Sequence, residues 1–372
     1  MVSVNSFGGP GQNLDNPPLG GPNGWAAAVA AALDGSDVPV NTRIQTAEDA
    51  IRADVGLPVA GRNRLINGDF VVNQRHFYST STNGYHTADR WFLSAIGGTF
   101  SLEHYSESTN DLPETQRSCL RLTAGSQVGA TNQVTLNQRI EYVYNLSGKH
   151  ATLSFWAKGS TDGMKVGPML VQHFGQGGNP APPITTVMPV VTTTTTWTRY
   201  FVPVDVPSIH GKQIGSNGGR VSLILCISNG PSGGSHPGVG LQNGSVSFFG
   251  VQLEEGEATP FEEKSYGVTL RECQRYFQRV GGAASGYVAA ATIGRFAIWY
   301  LEQMAITPTV TLDPGSPGVL NSTQGNPVVN SIGLQGVYSH AAYIDVNITG
   351  TMIGGQGCLW YGFVLEFNAE IP

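Results

Sequence analysis

From residue 61 to about 262 the chain is written as short apolar or alternating runs, each broken by a cluster of Gly, Asn, Ser or Pro. Runs this short, bounded by turn formers, cannot sustain a helix, but as strands they place every second side chain on one face. Repeated along 200 or so residues, they predict an antiparallel sandwich. The clearest runs are 119–123, 151–157, 169–174, 197–204, 221–227 and 245–253, with long polar loops at 175–183 and 228–244. Composition agrees: 49 Gly and 22 Pro stand among 372 residues, and charged residues make up 12%, about half the usual share of roughly 25%.

The pattern changes at either end. Residues 8–24 hold six Gly and four Pro and predict an extended segment. An alanine-rich stretch, 25–33, then predicts a short helix. A second follows from the capping box Thr42-Arg43-Ile44-Gln45, with Ile44, Ala47 and Ile51 at a, d and a spacing. Two readings fit those three residues: an ordinary amphipathic helix packed on its own chain, or the seam of a short parallel trimer. The Gly/Pro-rich flanks leave little local surface to pack on and favour the trimer. Near the other end, the capping box Thr269-Leu270-Arg271-Glu272, with Cys273, Phe277 and Val280 at helical spacing, predicts a connecting helix over 270–280. Strand patterns resume at 286–292, 295–301, 307–312, 341–349 and 357–370, a smaller C-terminal sandwich.

The expected fold is therefore mostly β: a jelly-roll sandwich plus a smaller C-terminal β-sandwich, with short N-terminal helices and one connecting helix. The expected divisions are 1–60, an extended attachment segment with a trimerising helix; 61–262, the jelly roll; and 263–372, the connecting helix and head.

Several function classes are disfavoured. Twenty basic against 26 acidic residues give a net charge of −6, thinly spread, so nothing marks a nucleic-acid surface. No apolar run approaches the roughly 20 residues that span a bilayer, and the N-terminus lacks the basic and apolar regions of a signal peptide, so neither membrane insertion nor ordinary secretion is expected. Cys119, Cys226, Cys273 and Cys358 stand singly, which predicts buried thiols. No G-x-S-x-G, H-E-x-x-H or phosphate loop occurs. A glycan depolymerase needs two carboxylates across a cleft. The acidic clusters here, Glu254-Glu255-Gly256-Glu257 and Glu262-Glu263, read as solvated turns and helix-dipole partners. No catalytic residue is expected.

At Gly61-Arg62-Asn63-Arg64-Leu65-Ile66-Asn67-Gly68-Asp69-Phe70, Asn73-Gln74-Arg75 and Ala88-Asp89-Arg90-Trp91 the sequence resembles the carbohydrate-binding-module-like jelly roll of bacteriophage tail fibre and minor tail proteins. Leu146-Ser147-Gly148-Lys149, Thr152 to Gly159, Trp197-Thr198-Arg199-Tyr200 and Val251 to Gly256 resemble its later strands, and Arg271-Glu272-Cys273-Gln274-Arg275-Tyr276-Phe277 the helix that closes it. Residues 304–311 and Phe367-Asn368-Ala369-Glu370 are similar to the C-terminal head of such proteins. Residues 25–37 and 41–51 resemble the attachment region of minor tail proteins from phages of actinobacteria. The resemblance implies a virion tail protein, assembled in the host cytoplasm, that forms a homotrimer, docks through its N-terminal segment onto other tail-tip proteins and binds host cell-envelope glycans. The alternatives are a structural spacer without a ligand and, less favoured, a depolymerase.

A glycan site needs exposed aromatic faces for the C–H faces of sugar rings. Trp91, Phe155, Trp156 and Trp197 lie inside strand-like runs, where aromatics are usually core. The candidates by residue type and loop context are Tyr78, Tyr85 and His86 in the jelly roll, and Tyr338, His340, Tyr343, Trp360 and Tyr361 in the head. The resemblance also raises a calcium site at Asp69 and Asp89, but a turn cap and an ion pair of Asp89 with Arg64, Arg75 or Arg90 are favoured over it. No metal and no cofactor is assigned.

Overall fold

A computed structural model describes residues 61–107, 117–322 and 325–371. The trimer-seam residues Ile44, Ala47 and Ile51, with the whole segment 1–60, lie outside the described residues. From Asn63 onward the chain forms one compact unit, and its described residues build three antiparallel sheets and one helix.

Two sheets make the sandwich. One has the order β1 (Ser79–Thr80), β4 (Thr99–Glu107), β5 (Arg117–Gly125), β13 (Gly244–Glu255), β7 (His150–Gly159) and β11 (Thr198–Asp205). The other has the order β10 (Val191–Thr192), β8 (Lys165–Gln176), β12 (Asn217–Asn229), β6 (Gln133–Glu141), β3 (Phe92–Ile96) and β2 (Gly84–Tyr85), with β9 (Ile184–Val187) also paired to β8. Period-two alternation builds the core between them. Leu153, Phe155 and Ala157 of β7 face Val221, Leu223 and Leu225 of β12 and Leu136 of β6 in one buried cluster. All six clearest sequence runs fall within or overlap β5, β7, β8, β11, β12 and β13.

The motifs at 67–70 and 88–91 act as structural fasteners. The Asn67 amide donates to the carbonyls of Val72 (2.9 Å) and Asp89 (3.0 Å) and accepts from Val72 N (3.0 Å), while the Trp91 indole donates to Asn67 O (2.8 Å). Gly68 must be glycine because a Cβ there would stand 2.1 Å from the carbonyl oxygen of Val251 on β13. Asp89 is buried and ion-paired with Arg75 at 3.4 Å. All four cysteines are buried, and none is joined to another in a disulfide.

The connecting helix differs from its expected position. It is α1, Tyr266–Gln274, preceded by Ser265, and Thr269 lies inside it rather than capping it. Residues from Phe277 onward leave the helix because β14 (Phe277–Ala290) pairs with β19 (Gly357–Asn368) along almost its whole length, Phe277 opposite Asn368 and Tyr287 opposite Gly357. That ladder offers far more than one extra helical turn.

The head is one six-stranded sheet, ordered β16 (Thr309–Asn321), β19, β14, β15 (Ile293–Trp299), β18 (Ala341–Thr349) and β17 (Val328–Val337). It curls into a near-barrel whose end strands share one core, with Leu320 of β16 and Val329 of β17 buried alongside Phe296, Trp360 and Phe367. An ionic seam joins head to sandwich. The Glu370 carboxylate takes Arg75 at 3.4 Å and Arg90 at closer range. Arg90 lies over the Tyr276 ring at 3.4 Å and Arg75 over the Phe277 ring at 3.7 Å. Arg275 forks onto Glu141 at 2.9 and 3.1 Å.

Candidate functional site

The head carries a ledge of exposed aromatic rings. In β15, Phe296 and Ile298 point into the core, so Trp299 points out and is 66% exposed. In β18, the same alternation turns Tyr343 outward at 43% exposure. Antiparallel pairing sets Trp299 opposite Ala341 and Tyr343 opposite Ala297 and Gly336. The turn from β17 to β18 adds Tyr338, 51% exposed, and His340, also exposed.

These four rings touch in sequence. Trp299 lies 6.2 Å from His340, His340 stacks on Tyr338 at 6.0 Å, and Tyr338 meets Tyr343 edge-on at 6.3 Å. The turn beneath them is held by the backbone, with Tyr338 N donating to Ala341 O (2.9 Å), Tyr300 N to His340 O (3.1 Å) and Met304 N to Ser339 O (2.7 Å). Small neighbours leave the rings standing above the sheet. A Cβ on Gly336 would press on the Tyr338 ring at 3.1 Å. Further along the same outer face, Arg295 forks onto Asp345 at 2.7 and 2.9 Å and reaches the Tyr287 hydroxyl at 3.5 Å. Exposed apolar side chains are ordinary when single; a contiguous group marks an interaction surface. Ring faces backed by a rigid hairpin and flanked by a charged fork suit a ligand with alternating apolar and hydroxylated faces.

The other sequence candidates fare differently. Trp360 is a correction: it is 0% exposed, stacked on Phe363 at 4.0 Å and near Phe296 at 5.6 Å, with its indole donating to Pro317 O at 3.0 Å. Its neighbour Tyr361 is exposed but has no ring contact with the ledge. Tyr85 is also corrected, since its ring packs edge-on against Phe92 at 5.1 Å and its hydroxyl is buried. Burial pushes that phenol above its ordinary pKa. Tyr78 is exposed but stacks on His104 at 5.8 Å, and His86 bonds Asn83 O at 3.1 Å. The structure brings Tyr338, His340 and Tyr343 together and leaves Tyr78, Tyr85 and His86 separate from them.

The acidic clusters are not solvated turns throughout. Glu254 is buried, accepting from Thr259 N (2.9 Å), Thr259 Oγ1 (2.6 Å) and Gln252 (2.7 Å), and Glu262 accepts from Asn63 N at 2.8 Å. Both are committed to holding the end of β13. Among the described residues no group of three His, Cys, Asp or Glu is placed to hold a metal ion, and no helix is long and apolar enough to cross a membrane.

No family model matches the chain, and no curated protein matches it. Among solved structures it is similar to the enzymatically active domain of tailspike protein 4 of bacteriophage CBA120, at 18% identity over 52% of this chain and TM-score 0.31; the chain spans 22% of that one. It is also similar to a family 4 carbohydrate-binding module, at 16% identity, covering 51% of this chain and 98% of that one with TM-score 0.29. A family 11 carbohydrate-binding module from Clostridium thermocellum, solved with a beta-1,3-1,4-mixed-linked tetrasaccharide, gives 11% identity, 48% and 96% coverage and TM-score 0.29.

Proposed function

We propose that this chain is a non-catalytic phage tail protein, a trimeric receptor-binding component that takes host cell-envelope glycan on the aromatic ledge of its head. The observation that carries the reading is the contiguous exposed group Trp299, His340, Tyr338 and Tyr343. In it, Trp299 and the tyrosines supply ring faces, and Arg295 with Asp345 supplies polar contacts for hydroxyls. Contacts to single sugar units are weak. Three heads on a fixed base raise the effective concentration, so avidity exceeds single-site affinity by roughly 10² to 10⁴. The N-terminal segment would dock the trimer to other tail-tip proteins.

The test is binding of the full chain to a glycan array and to purified envelope polysaccharide, with mass by light scattering. Saturable binding by a trimer, lost in Trp299→Ala and Tyr338→Ala but kept in Tyr78→Ala, is the expected result. Unchanged binding in both ledge variants would remove the ledge from the reading, and a trimer that binds no glycan would make the protein a structural spacer.

A further inference from the structure

A second feature, on the sandwich, has no part in the ledge. Pairing of β6 with β12 sets Arg139 opposite Ser222, Asn137 opposite Ile224 and Glu141 opposite Arg220; pairing of β12 with β8 sets Arg220 opposite His173. Leu136 and Ile140 of β6 and Val221 and Leu223 of β12 face the core, so Arg139, Arg220, Ser222 and His173 project from the outer face. There they line a groove of about 210 Å³ beside Phe92 and Asn137. Past His173 and Arg220 the groove opens into a wider depression of about 820 Å³, bounded by the loop around Pro180–Pro183 and by Ile306 of the head.

The charge in this groove is one-sided. Two guanidinium groups line it, and none of its lining residues is a carboxylate. Arg139 is steadied by a bond from Nη1 to Ile371 O at 2.5 Å and by the Phe92 ring at 5.1 Å. Among the described residues Arg220 donates only to Gly218 O, at 3.4 Å, and its buried Nε meets no acceptor. The acid opposite it in register, Glu141, is already held by both arms of Arg275. Burial, and then the charge of Arg139, pushes Arg220 down; burial, Arg220 and Arg139 together push His173 down to about 4. His173 is therefore neutral near pH 7 and offers one donor and one acceptor. Two neighbouring guanidinium forks with no acid between them are complementary to an oxyanion, which binds them by charge-assisted, frequently bidentate bonds.

We propose that this groove is a second binding site, selective for acidic saccharides: a carboxylate or phosphate borne on a sugar takes Arg139 and Arg220, while Asn137, Ser222 and His173 take hydroxyls. It stands independently of the ledge, which presents no unpaired cation.

The test titrates the full chain, by calorimetry, with tri-galacturonate, glucose 6-phosphate, a neutral trisaccharide and inorganic phosphate, at low and high salt. Binding of an acidic saccharide at least tenfold tighter than the neutral one, weakening with salt, is expected, and the two acidic ligands tell carboxylate from phosphate. Arg139→Gln and Arg220→Gln should each lose tenfold or more. Arg220→Lys, which keeps the charge and loses the fork, should fall between, and Tyr78→Ala, exposed and in neither the groove nor the ledge, should change nothing. Equal binding of the neutral sugar, inorganic phosphate binding as tightly as the saccharides, no binding of either acid at millimolar concentration, or wild-type affinity in folded Arg→Gln variants would each overturn the proposal. Loss in Trp299→Ala would place the site in the head and overturn it too.

Discussion

Glu370→Gln tests the ionic seam between head and sandwich. Glu370 is 5% exposed at its side chain and Arg90 is 1% exposed, and the carboxylate is shared by Arg90 and Arg75. The amide removes the negative charge and leaves the buried Arg90 guanidinium with neutral partners, the amide oxygen, the Arg139 carbonyl and the Tyr276 ring. Breaking a buried pair by neutralising one partner costs about 3–5 kcal/mol. The unit from Asn63 has about 310 residues, so at about 2.1 cal/mol/K per residue its unfolding entropy is about 0.65 kcal/mol/K. The melting temperature should fall by about 5–8 °C. Because the seam holds two cores together, calorimetry should also show the single transition broadening or splitting as the head separates first. Glu255→Gln is the control: its pair with Lys149 is about half exposed on both sides and is worth about 0–1 kcal/mol. A shift for Glu370→Gln no larger than the control's would refute the reasoning.

Trp360→Ala should destabilise the head by about 3–5 kcal/mol, whereas Tyr343→Ala, on the exposed ledge, should stay within about 1 kcal/mol; chemical denaturation compares them, and equal losses would mean that Tyr343 is structural. One buried and one half-buried group should also tilt the pH profile in opposite directions. Asp89, pushed up to about 6 chiefly by burial, holds its proton more tightly when folded, so its contribution is complete below pH 3.8 and lost as pH rises through 6. His173, pushed down to about 4 chiefly by burial, is protonated more readily when unfolded, so its contribution is complete above pH 6.5 and lost as pH falls through 4. Relative to wild type, Asp89→Asn should make stability rise more steeply with pH between 4 and 6.5, and His173→Gln should make it fall more steeply; urea midpoints across that range check the signs, and slopes moving the same way would contradict both assignments.

Strands with regular alternation were legible in the sequence. In β7 and β12 the apolar residues Leu153, Phe155 and Ala157, and Val221, Leu223 and Leu225, recur at every second position and enter the sandwich core, and that periodicity needs no knowledge of partners. The head was harder because its strands change phase. In β19, Cys358 and Trp360 face inward, then Gly362, at φ 68°, shifts the alternation so that Phe363, Leu365 and Phe367 face inward. Residue type and loop context made Trp360 look like a platform, while the phase of its strand buries it. Trp299 carried the opposite signal: with Phe296 and Ile298 filling the inward phase, the next position must point out, and that would have found the missing ring of the ledge. The helix over 270–280 failed for a non-local reason. Phe277 and Val280 fit a helical stripe, but their partners, Asn368 and Leu365, lie far along the chain. The arginine groove was illegible for the same reason, since Arg139, His173 and Arg220 meet only through strand register.

The seam also carries a kinetic consequence. Arg90 and Glu370 are 280 positions apart, and most of the sandwich and nearly all of the head lie between them. During synthesis the sandwich strands, closed by β13, emerge before the head is made, and domains fold in that order. Arg90 must then wait in a hydrated, open cleft for its counter-charge. Docking of the head is thus a closing step that dries the cleft only when β19 and Glu370 are in place, and a chain truncated before Glu370 would leave Arg75 and Arg90 without that shared counter-charge.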